Sequence, residues 1–363
     1  MIGVFLSVFF AAAILACAAT PWMRRVALRA GILDHPGPRK AQHEPVPYLG
    51  GLAVFLAFAM VVGGGLAALL LAPDLAARLG GSLLQGRQEL ALGKLGQILT
   101  VLFGCALCVG VGLADDKLGP RLSPWSKLAV QILAASLAVW AGASTTVFPW
   151  PALNALVSAV WIVAITNALN FVDNMDGLSA GLAVISSLLL GALAYQQDQY
   201  FMLAIYCALA GAAAGFLPWN FPRARIYLGD AGSLFLGYCL GVLTLLESYV
   251  TPASHTLLPV LLPLLVLTVP VFDMVSVIVI RLREGRPIYV GDRSHLSHRL
   301  VDRGLPPALA VSFLYLVAAG LGLGALLLPG LDLIDSIFLL AQWLVSLALI
   351  SILLVVGRQG EGK

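Results

Sequence analysis

The most chemically active stretch of the chain is Asn167-Ala-Leu-Asn170-Phe-Val-Asp173-Asn174-Met-Asp176-Gly177. It carries three Asn and two Asp between two long apolar runs. Polar side chains at such a seam are costly in a hydrophobic chain and are commonly functional. Asp173 and Asp176 are three residues apart, so the first turn of a helix would place both carboxylates on one face. Gly177 would then allow a close approach of backbone or ligand. A polar loop that only caps two helices is the simpler interpretation.

A second seam carries the adjacent acids Asp115 and Asp116 at the end of another apolar run. Two like charges near a low dielectric raise the pKa of at least one carboxyl unless a cation lies close. Arg121 and Lys127 supply basic groups in the same polar segment. The pair therefore predicts a charged site near the membrane surface, and helix capping is its alternative.

A third seam places Asp230 between Gly229 and Gly232, directly before an apolar run. At a helix N-terminus, this pattern can bring a carboxylate and free backbone N–H groups to one metal–phosphate unit. A plain turn is the alternative, because Gly-Asp-x-Gly alone is a weak signal.

Two further polar segments carry groups that could contact phosphates. His295 and His298 have the i, i+3 spacing of a metal site, but the oxygen ligands of the other seams favour Mg²⁺, with the imidazoles hydrogen-bonding a phosphate. Arg39 and Lys40 lie in a rigid, proline-rich segment, where they could hold a phosphate as fixed positive charge.

Long apolar runs separate these seams and must form the elements that position them. Of the 363 residues, 60% are hydrophobic and 11% are charged, and the mean hydropathy is +0.96. Uncharged runs of about 20 residues have the length of a membrane-spanning helix. Such runs cover residues 2–20, 50–72, 95–114, 128–147, 151–169, 178–194, 200–218, 232–246, 257–280, 307–328 and 333–356. The eighth is short, so the sequence predicts an all-α polytopic membrane protein with ten or eleven spans in one domain, residues 1–363.

The placement of basic residues predicts the orientation of these spans. With the N-terminus outside, the inside segments hold all but three of the 21 Lys and Arg, the exceptions being Arg78, Arg87 and Lys94. This asymmetry follows the positive-inside rule. The first run lacks a basic n-region and is interpreted as a retained span. The net charge of +3 gives no indication of nucleic-acid binding, and the five Cys lie in apolar runs as packing residues.

In this topology every acid-rich or His-rich seam faces the inside. Carboxylates among Lys and Arg suit a Mg²⁺-dependent reaction on phosphates at a membrane surface. A cation or lipid carrier is the alternative from a different class, and it would favour ionisable groups near mid-membrane and repeated halves. The sequence has no evident repeat, and Asp273 is the one acid well inside a run.

Taken in order, the motifs resemble those of the polyprenyl-phosphate N-acetylhexosamine-1-phosphate transferase family, over nearly the whole chain. The matching segments include Asp115-Asp116, Asn170 to Gly177, Asn220 to Gly232, and Asp292 to His298. The resemblance implies transfer of HexNAc-1-phosphate, favoured as GlcNAc-1-phosphate, from a UDP-amino-sugar to undecaprenyl or another polyprenyl phosphate, with release of UMP. That reaction is the first lipid-linked step of cell-envelope glycan synthesis. The resemblance implies Mg²⁺, with Mn²⁺ as the alternative, and a bacterial plasma (inner) membrane location with the active site on the cytoplasmic face. It leaves a homodimer open.

The resemblance also implies roles for individual residues. The acidic pair would handle the Mg²⁺–diphosphate and the lipid phosphate, Tyr227 would stack on uracil, and Asp230 would bind the metal. The implied catalytic residues are Asp115, Asp116, Asp173, Asp176, Asp230, His295 and His298. The implied substrate-binding residues are Arg39, Lys40, Lys127, Asn170, Asn220, Tyr227, Gly229 and Arg293, and the metal ligands are Asp230, Asp115 and Asp116.

The chain departs from the family pattern in its histidines. The branch that initiates antigen synthesis usually reads His-x-His-His where this chain has His295-Leu-Ser297-His298, and Gln42 stands where the first loop often has His. The related phospho-MurNAc-pentapeptide translocases have consecutive His at the late position. This pattern favours a GlcNAc-type donor and keeps the pentapeptide donor as the alternative.

Overall fold

The chain folds into helices that run back and forth between the two ends of a bundle. The computed structural model describes residues 2–35, 44–72, 88–250, 254–290 and 292–356. Within these residues the α-helices are α1 (Ile2–Ala30), α2 (Gly50–Leu71), α3 (Gln88–Leu118), α4 (Pro124–Trp140), α5 (Pro151–Phe171), α6 (Leu178–Gln196), α7 (Tyr200–Asn220), α8 (Gly229–Leu246), α9 (Leu262–Val266), α10 (Thr268–Arg283), α11 (Leu296–Val301), α12 (Pro307–Ala325) and α13 (Leu333–Val356). Strands β1 (Leu33–Asp34) and β2 (Val46–Pro47) pair antiparallel, with Leu33 opposite Pro47.

The helices confirm the prediction of an all-α polytopic membrane protein. In the described chain, nine helices are long and apolar enough to cross a membrane, and a bent helix pair is a tenth candidate. Helix α4, with 17 residues, overlaps the fourth predicted run but begins and ends earlier than residues 128–147. The bent pair changes direction by 75° between Val266 and Thr268. Pro263 and Pro270 lie on either side of the break, and proline inside a helix is a common cause of such a bend.

Helix α8 is the central element of the bundle. Every residue from Ala231 to Thr244 is buried, and α8 packs against α2, α3 and α5. Its N-terminal end contacts neighbouring backbones directly, since a Cβ atom added to Gly51 would lie 2.1 Å from the Gly232 nitrogen. One added to Gly112 would lie 2.3 Å from the Ala231 nitrogen. Small residues permit such close helix packing in membranes, and here they fix the position of the α8 N-terminus.

Replacing Gly51 by Ala should therefore destabilise the protein. The new methyl group would overlap backbone atoms of α8 that cannot rotate away, and overpacking costs about 1–3 kcal/mol or more. The matched control is Gly64→Ala in the same helix, because a Cβ at Gly64 meets nothing within 4 Å. Thermal unfolding in detergent should show a lower Tm for Gly51→Ala and little change for Gly64→Ala. Equal Tm values for the two variants would contradict the close backbone contact.

The end of the bundle at which α3, α5 and α7 finish and α4, α6 and α8 begin is called the site end below. At this end, backbone hydrogen bonds join the start of α2 and the strand before it to the segment that precedes α8. The Tyr227 nitrogen donates to the Pro47 oxygen at 2.8 Å, and the Gly50 nitrogen donates to the Tyr227 oxygen at 3.0 Å. The Gly51 nitrogen donates to the Leu228 oxygen at 2.8 Å. The segment before α8 is therefore held against the start of α2.

Candidate active site

Four helix ends bring charged and polar side chains together around Lys127. The Lys127 Nζ lies 3.0 Å from Asp115 Oδ2 at the end of α3 and 2.6 Å from Asp230 Oδ2 at the start of α8. Asn170, near the end of α5, donates from Nδ2 to Asp230 Oδ1 and to Ser233 Oγ, both at 3.0 Å. The three charged side chains are between 21% and 23% exposed, so substrate can reach a site whose charges are only partly screened by solvent.

Asp116 faces the same site but bonds to the backbone. Its Oδ1 accepts from the Asp230 nitrogen at 2.8 Å, and its Oδ2 accepts from the Ala231 nitrogen at 3.3 Å. The capping interpretation therefore holds for Asp116, although the capped helix is α8 and not its own. The backbone N–H groups of Asp230 and Ala231, which the sequence predicts to be free for a metal–phosphate unit, are occupied by this carboxylate. Gly229 has a φ of +71°, and a Cβ there would lie 2.5 Å from Asp116 Oδ2.

Asp173 and Asp176 lie in the turn between α5 and α6, outside either helix. The prediction that they share a face of a first helical turn is wrong, because α6 begins only at Leu178, after Gly177 with its φ of +80°. Asp176 Oδ2 accepts from the Ala224 nitrogen at 2.9 Å. In the described chain no hydrogen bond or ion pair holds the Asp173 carboxylate, so the two acids have separate roles.

Burial and neighbouring negative charges around Asp173 favour the binding of a cation. Burial raises its pKa well above the usual range, and the negative charges of Asp230, Asp116 and Asp176 raise it further. Burial also raises the pKa of Asp176, which the Ala224 N–H and the charge of Arg223 partly offset. Carboxylates crowded in this way favour either a proton or a bound cation.

The donor set fits a hard divalent cation. The residues described include no ready-made group of three or more His, Cys, Asp or Glu that could hold a metal. Mg²⁺, however, is usually bound by one or two carboxylates together with substrate phosphates and water. The carboxylate oxygens of Asp115, Asp173 and Asp230 have that chemistry.

The segment between α7 and α8 carries the predicted nucleotide-binding residues. Asn220 is buried, and its amide joins two backbone segments, accepting from the Gly177 nitrogen at 2.8 Å and donating to the Ile226 oxygen at 3.0 Å. The Tyr227 ring is half-buried, with its centroid 5.8 Å from that of Tyr48. Asn220 thus positions the two loops, and Tyr227 presents an aromatic surface beside them.

The segment that joins α10 to α11, called the late loop below, contacts the turn between α5 and α6 through buried groups. His295 Nδ1 lies 2.7 Å from Asp273 Oδ2, and both residues are buried. Ser297 Oγ donates to Asn174 Oδ1 at 2.6 Å. His298 is half-buried, with its ring centroid 6.4 Å from that of His295. The structure therefore brings His295 and His298 close to the turn that carries Asp173.

Burial, together with the positive charges of His295 and Arg293, lowers the pKa of His298. At neutral pH the half-buried imidazole is therefore mainly neutral, with Asp302 and Asp273 opposing that shift. A neutral imidazole can accept or donate one hydrogen bond to a substrate.

One of the predicted basic residues, Arg293, is not part of this cluster. Arg293 is 58% exposed and pairs with Asp302 at 3.1 Å. Arg39 and Lys40 lie outside the described residues. Arg281, which the sequence does not single out, is buried and bonds to Asp292 at 3.2 Å, with its guanidinium 5.3 Å from the Phe171 ring centroid. It holds the late loop against α5.

Sequence reasoning assigned no role to four further residues that position the site. Each of them forms a hydrogen bond with a predicted site residue or with the loop that carries one, and they are Ser233, Asn174, Ser297 and Asp273. Ser233 follows the Gly-Asp-x-Gly pattern directly, and Asp273 is conspicuous as an acid inside an apolar run. These signals mark the residues as unusual but do not identify their partners.

Comparison with known proteins agrees with this organisation. Residues 98–248 match the model of the family described as Glycosyl transferase family 4. A Bacillus subtilis protein named as a probable undecaprenyl-phosphate N-acetylglucosaminyl 1-phosphate transferase is 31% identical over 341 residues, covering 92% of this chain and 87% of that protein. A Mycolicibacterium smegmatis decaprenyl-phosphate N-acetylglucosaminephosphotransferase is 34% identical over 343 residues, covering 86% and 79%. A Moorella thermoacetica phospho-N-acetylmuramoyl-pentapeptide-transferase is 36% identical over 174 residues, covering 48% and 52%.

Membrane-spanning helices and a carboxylate-rich site at their ends define an integral-membrane transferase as the class. The chain belongs to glycosyl transferase family 4, within the polyprenyl-phosphate N-acetylhexosamine-1-phosphate transferases that its motifs resemble. Its full-length relatives act on polyprenyl phosphates according to their names, and their similarity extends over most of this chain.

Proposed function

We propose that the protein transfers GlcNAc-1-phosphate from UDP-GlcNAc to undecaprenyl phosphate, giving undecaprenyl-diphosphate-GlcNAc and UMP. The observation that carries this proposal is the arrangement of Asp115, Asp230 and Asn170 around Lys127 at the ends of four helices. This arrangement offers both signs of charge to a donor diphosphate and an acceptor phosphate at the membrane surface. The names of the two relatives matched over most of this chain support the sugar and a polyprenyl phosphate acceptor, which is undecaprenyl phosphate in the Bacillus subtilis protein's name.

The reaction is an in-line displacement at the β-phosphorus of the donor. An oxygen of the lipid phosphate forms the new P–O bond, while the bond from the β-phosphorus to the oxygen of the α-phosphate breaks. UMP leaves with that oxygen and with the bonding electron pair. The second pKa of a phosphate monoester is about 6, so the acceptor is mostly ionised at neutral pH and needs no obligatory general base.

Asp230, together with Asp115 or Asp173, would hold Mg²⁺ or Mn²⁺ along with the substrate phosphates. When bound, the cation would neutralise charge on the donor diphosphate and on the departing UMP. Lys127 pairs with the carboxylates of Asp115 and Asp230 and provides a fixed positive charge near the reacting phosphates. Asp116 fixes the position of the N-terminus of α8, and therefore of Asp230, through its hydrogen bonds to the backbone.

The remaining predicted residues would bind the donor. Asn220 and Asp176 fix the loops on which Tyr227 stands, and the Tyr227 ring would stack on the uracil. His298 would hydrogen-bond to a phosphate or to the sugar. We place this site on the cytoplasmic face, because the loops at the site end carry most of the Lys and Arg.

The test is UMP release by purified protein with undecaprenyl phosphate and Mg²⁺. UDP-GlcNAc, UDP-GalNAc and UDP-MurNAc-pentapeptide should be supplied in parallel, and lipid-dependent release is expected with UDP-GlcNAc. Release only with the pentapeptide donor would favour the second function, which the match to the Moorella thermoacetica protein over 48% of this chain suggests. No release with any donor, from protein that unfolds cooperatively, would contradict both, and Mg²⁺ uptake into proteoliposomes without nucleotide would favour a carrier.

A further inference from the structure

We infer that Asp273 is a positioning residue that fixes His295 so that its Nε2 is the nitrogen that hydrogen-bonds to a phosphate of the substrate. This inference rests on the proposed function for the identity of the substrate, while the side-chain pair itself is independent of it. Asp273 lies inside a helix that the sequence predicts to be apolar, and it is 2% exposed. A buried carboxylate requires hydrogen bonds to offset its loss of solvation.

The Asp273 carboxylate receives those hydrogen bonds from the late loop. Its Oδ2 lies 2.7 Å from His295 Nδ1, and its Oδ1 accepts from the Leu296 nitrogen at 2.6 Å. Leu296 is the first residue of α11. One side chain on α10 therefore fixes both an imidazole ring and the backbone at the start of the next helix.

A second anchor lies on the other side of His295. Ser297, which is 1% exposed, donates to Asn174 Oδ1 at 2.6 Å. Asn174 in turn donates from Nδ2 to the Phe171 oxygen at 2.7 Å, and the Phe171 ring centroid lies 5.9 Å from that of His295. The ring is thus held between α10 and the turn that carries Asp173. Ser297, where the related branch has a histidine, serves as part of this attachment.

The hydrogen bond between Asp273 and His295 determines which imidazole nitrogen is left for the substrate. Because the Asp273 carboxylate can only accept, Nδ1 carries a proton, and Nε2 has no hydrogen-bond partner among the described residues. An aspartate on one imidazole nitrogen fixes the orientation and the tautomer of the ring. Nε2 is therefore the nitrogen left to hydrogen-bond with the substrate phosphate, and Asp273 acts only through His295.

A double-mutant cycle with Asp273→Asn and His295→Asn tests the pair. Positioning partners around a functional histidine are worth about 10–100-fold in activity, so Asp273→Asn should lower kcat by that factor with little change in KM for UDP-GlcNAc. The double variant should be no slower than His295→Asn alone, because the two residues act as one unit. Ser276→Ala is the matched control on α10, since its hydroxyl donates to the backbone carbonyl of Asp273 and not to the Asp273 carboxylate or to His295. It should keep the wild-type rate.

A readout independent of transfer separates this inference from the proposed function. Long-range ¹H–¹⁵N spectra of histidine-labelled protein, assigned with His295→Asn, should show a protonated Nδ1 for His295 in the wild type and its loss in Asp273→Asn. Additive rate losses in the cycle, full activity of His295→Asn, or an unprotonated Nδ1 in the wild type would each overturn the inference. Should Asp273→Asn fail to fold, the spectrum of the wild type and the rate of His295→Asn still decide. If wild-type protein transfers nothing from any donor, the proposed function fails while the spectra still test the pair.

Discussion

The Asp230→Asn variant should release UMP about 10³-fold more slowly than the wild type, even at saturating Mg²⁺. The amide keeps the size of the side chain but removes the charge that Lys127 contacts at 2.6 Å. It also removes the charged metal ligand of the proposed site, while the remaining amide oxygen can still accept from Asn170 Nδ2. Asn can orient an NH₂ group toward Lys127, which would repel the ammonium. The loss should therefore appear in kcat and in the apparent Mg²⁺ affinity.

The matched control is Asp335→Asn, which removes an exposed carboxylate at the start of α13. Both variants should unfold near the wild-type temperature in detergent, because the Asp116 cap of α8 uses the backbone nitrogens of Asp230 and Ala231 and not the Asp230 side chain. Near-wild-type activity of Asp230→Asn at high Mg²⁺ would show that this carboxylate neither binds the metal nor orients the reacting groups.

The helices could be predicted from the sequence because lipid leaves a chain few options. A backbone that crosses a bilayer must satisfy its own hydrogen bonds, so an apolar run of about 20 residues is a helix almost regardless of its detailed sequence. The boundaries depend on contacts distant in sequence. Helix α8 starts at Gly229, before the predicted run 232–246, because Asp116 bonds to its first nitrogens from 114 residues away.

The types of the site residues were also predictable, because charged side chains at the ends of apolar runs are rare. Their partners were not. Asp115 and Asp116 are adjacent, yet Asp115 pairs with a lysine and Asp116 caps a helix. That division follows from the directions of two successive side chains at the end of α3, and sequence spacing does not report it. Likewise, Asp273 and His295 are 22 residues apart, and only the fold shows that their side chains meet.

Lys127→Gln should lower the maximal rate about 10²-fold and lower the Mg²⁺ concentration needed for half of that rate. In the wild type, the Lys127 ammonium and a divalent cation compete for the carboxylates of Asp115 and Asp230. Two unit charges 4 Å apart interact by about 4 kcal/mol near a protein surface. Removing the ammonium would relieve that repulsion on an incoming cation, while also removing fixed positive charge from the reacting phosphates.

The conservative variant Lys127→Arg keeps the charge but changes its shape, so it should retain the wild-type Mg²⁺ requirement and lose less of the rate than Lys127→Gln. The measurement is UMP release against Mg²⁺ concentration for the three proteins at saturating donor and acceptor. A higher Mg²⁺ requirement in Lys127→Gln would reverse the interpretation. It would mean that Lys127 assembles the carboxylates for the cation, since Asp115 and Asp230 without it would repel each other and move apart. The sign of the shift therefore distinguishes a lysine that competes with the metal from one that prepares its site.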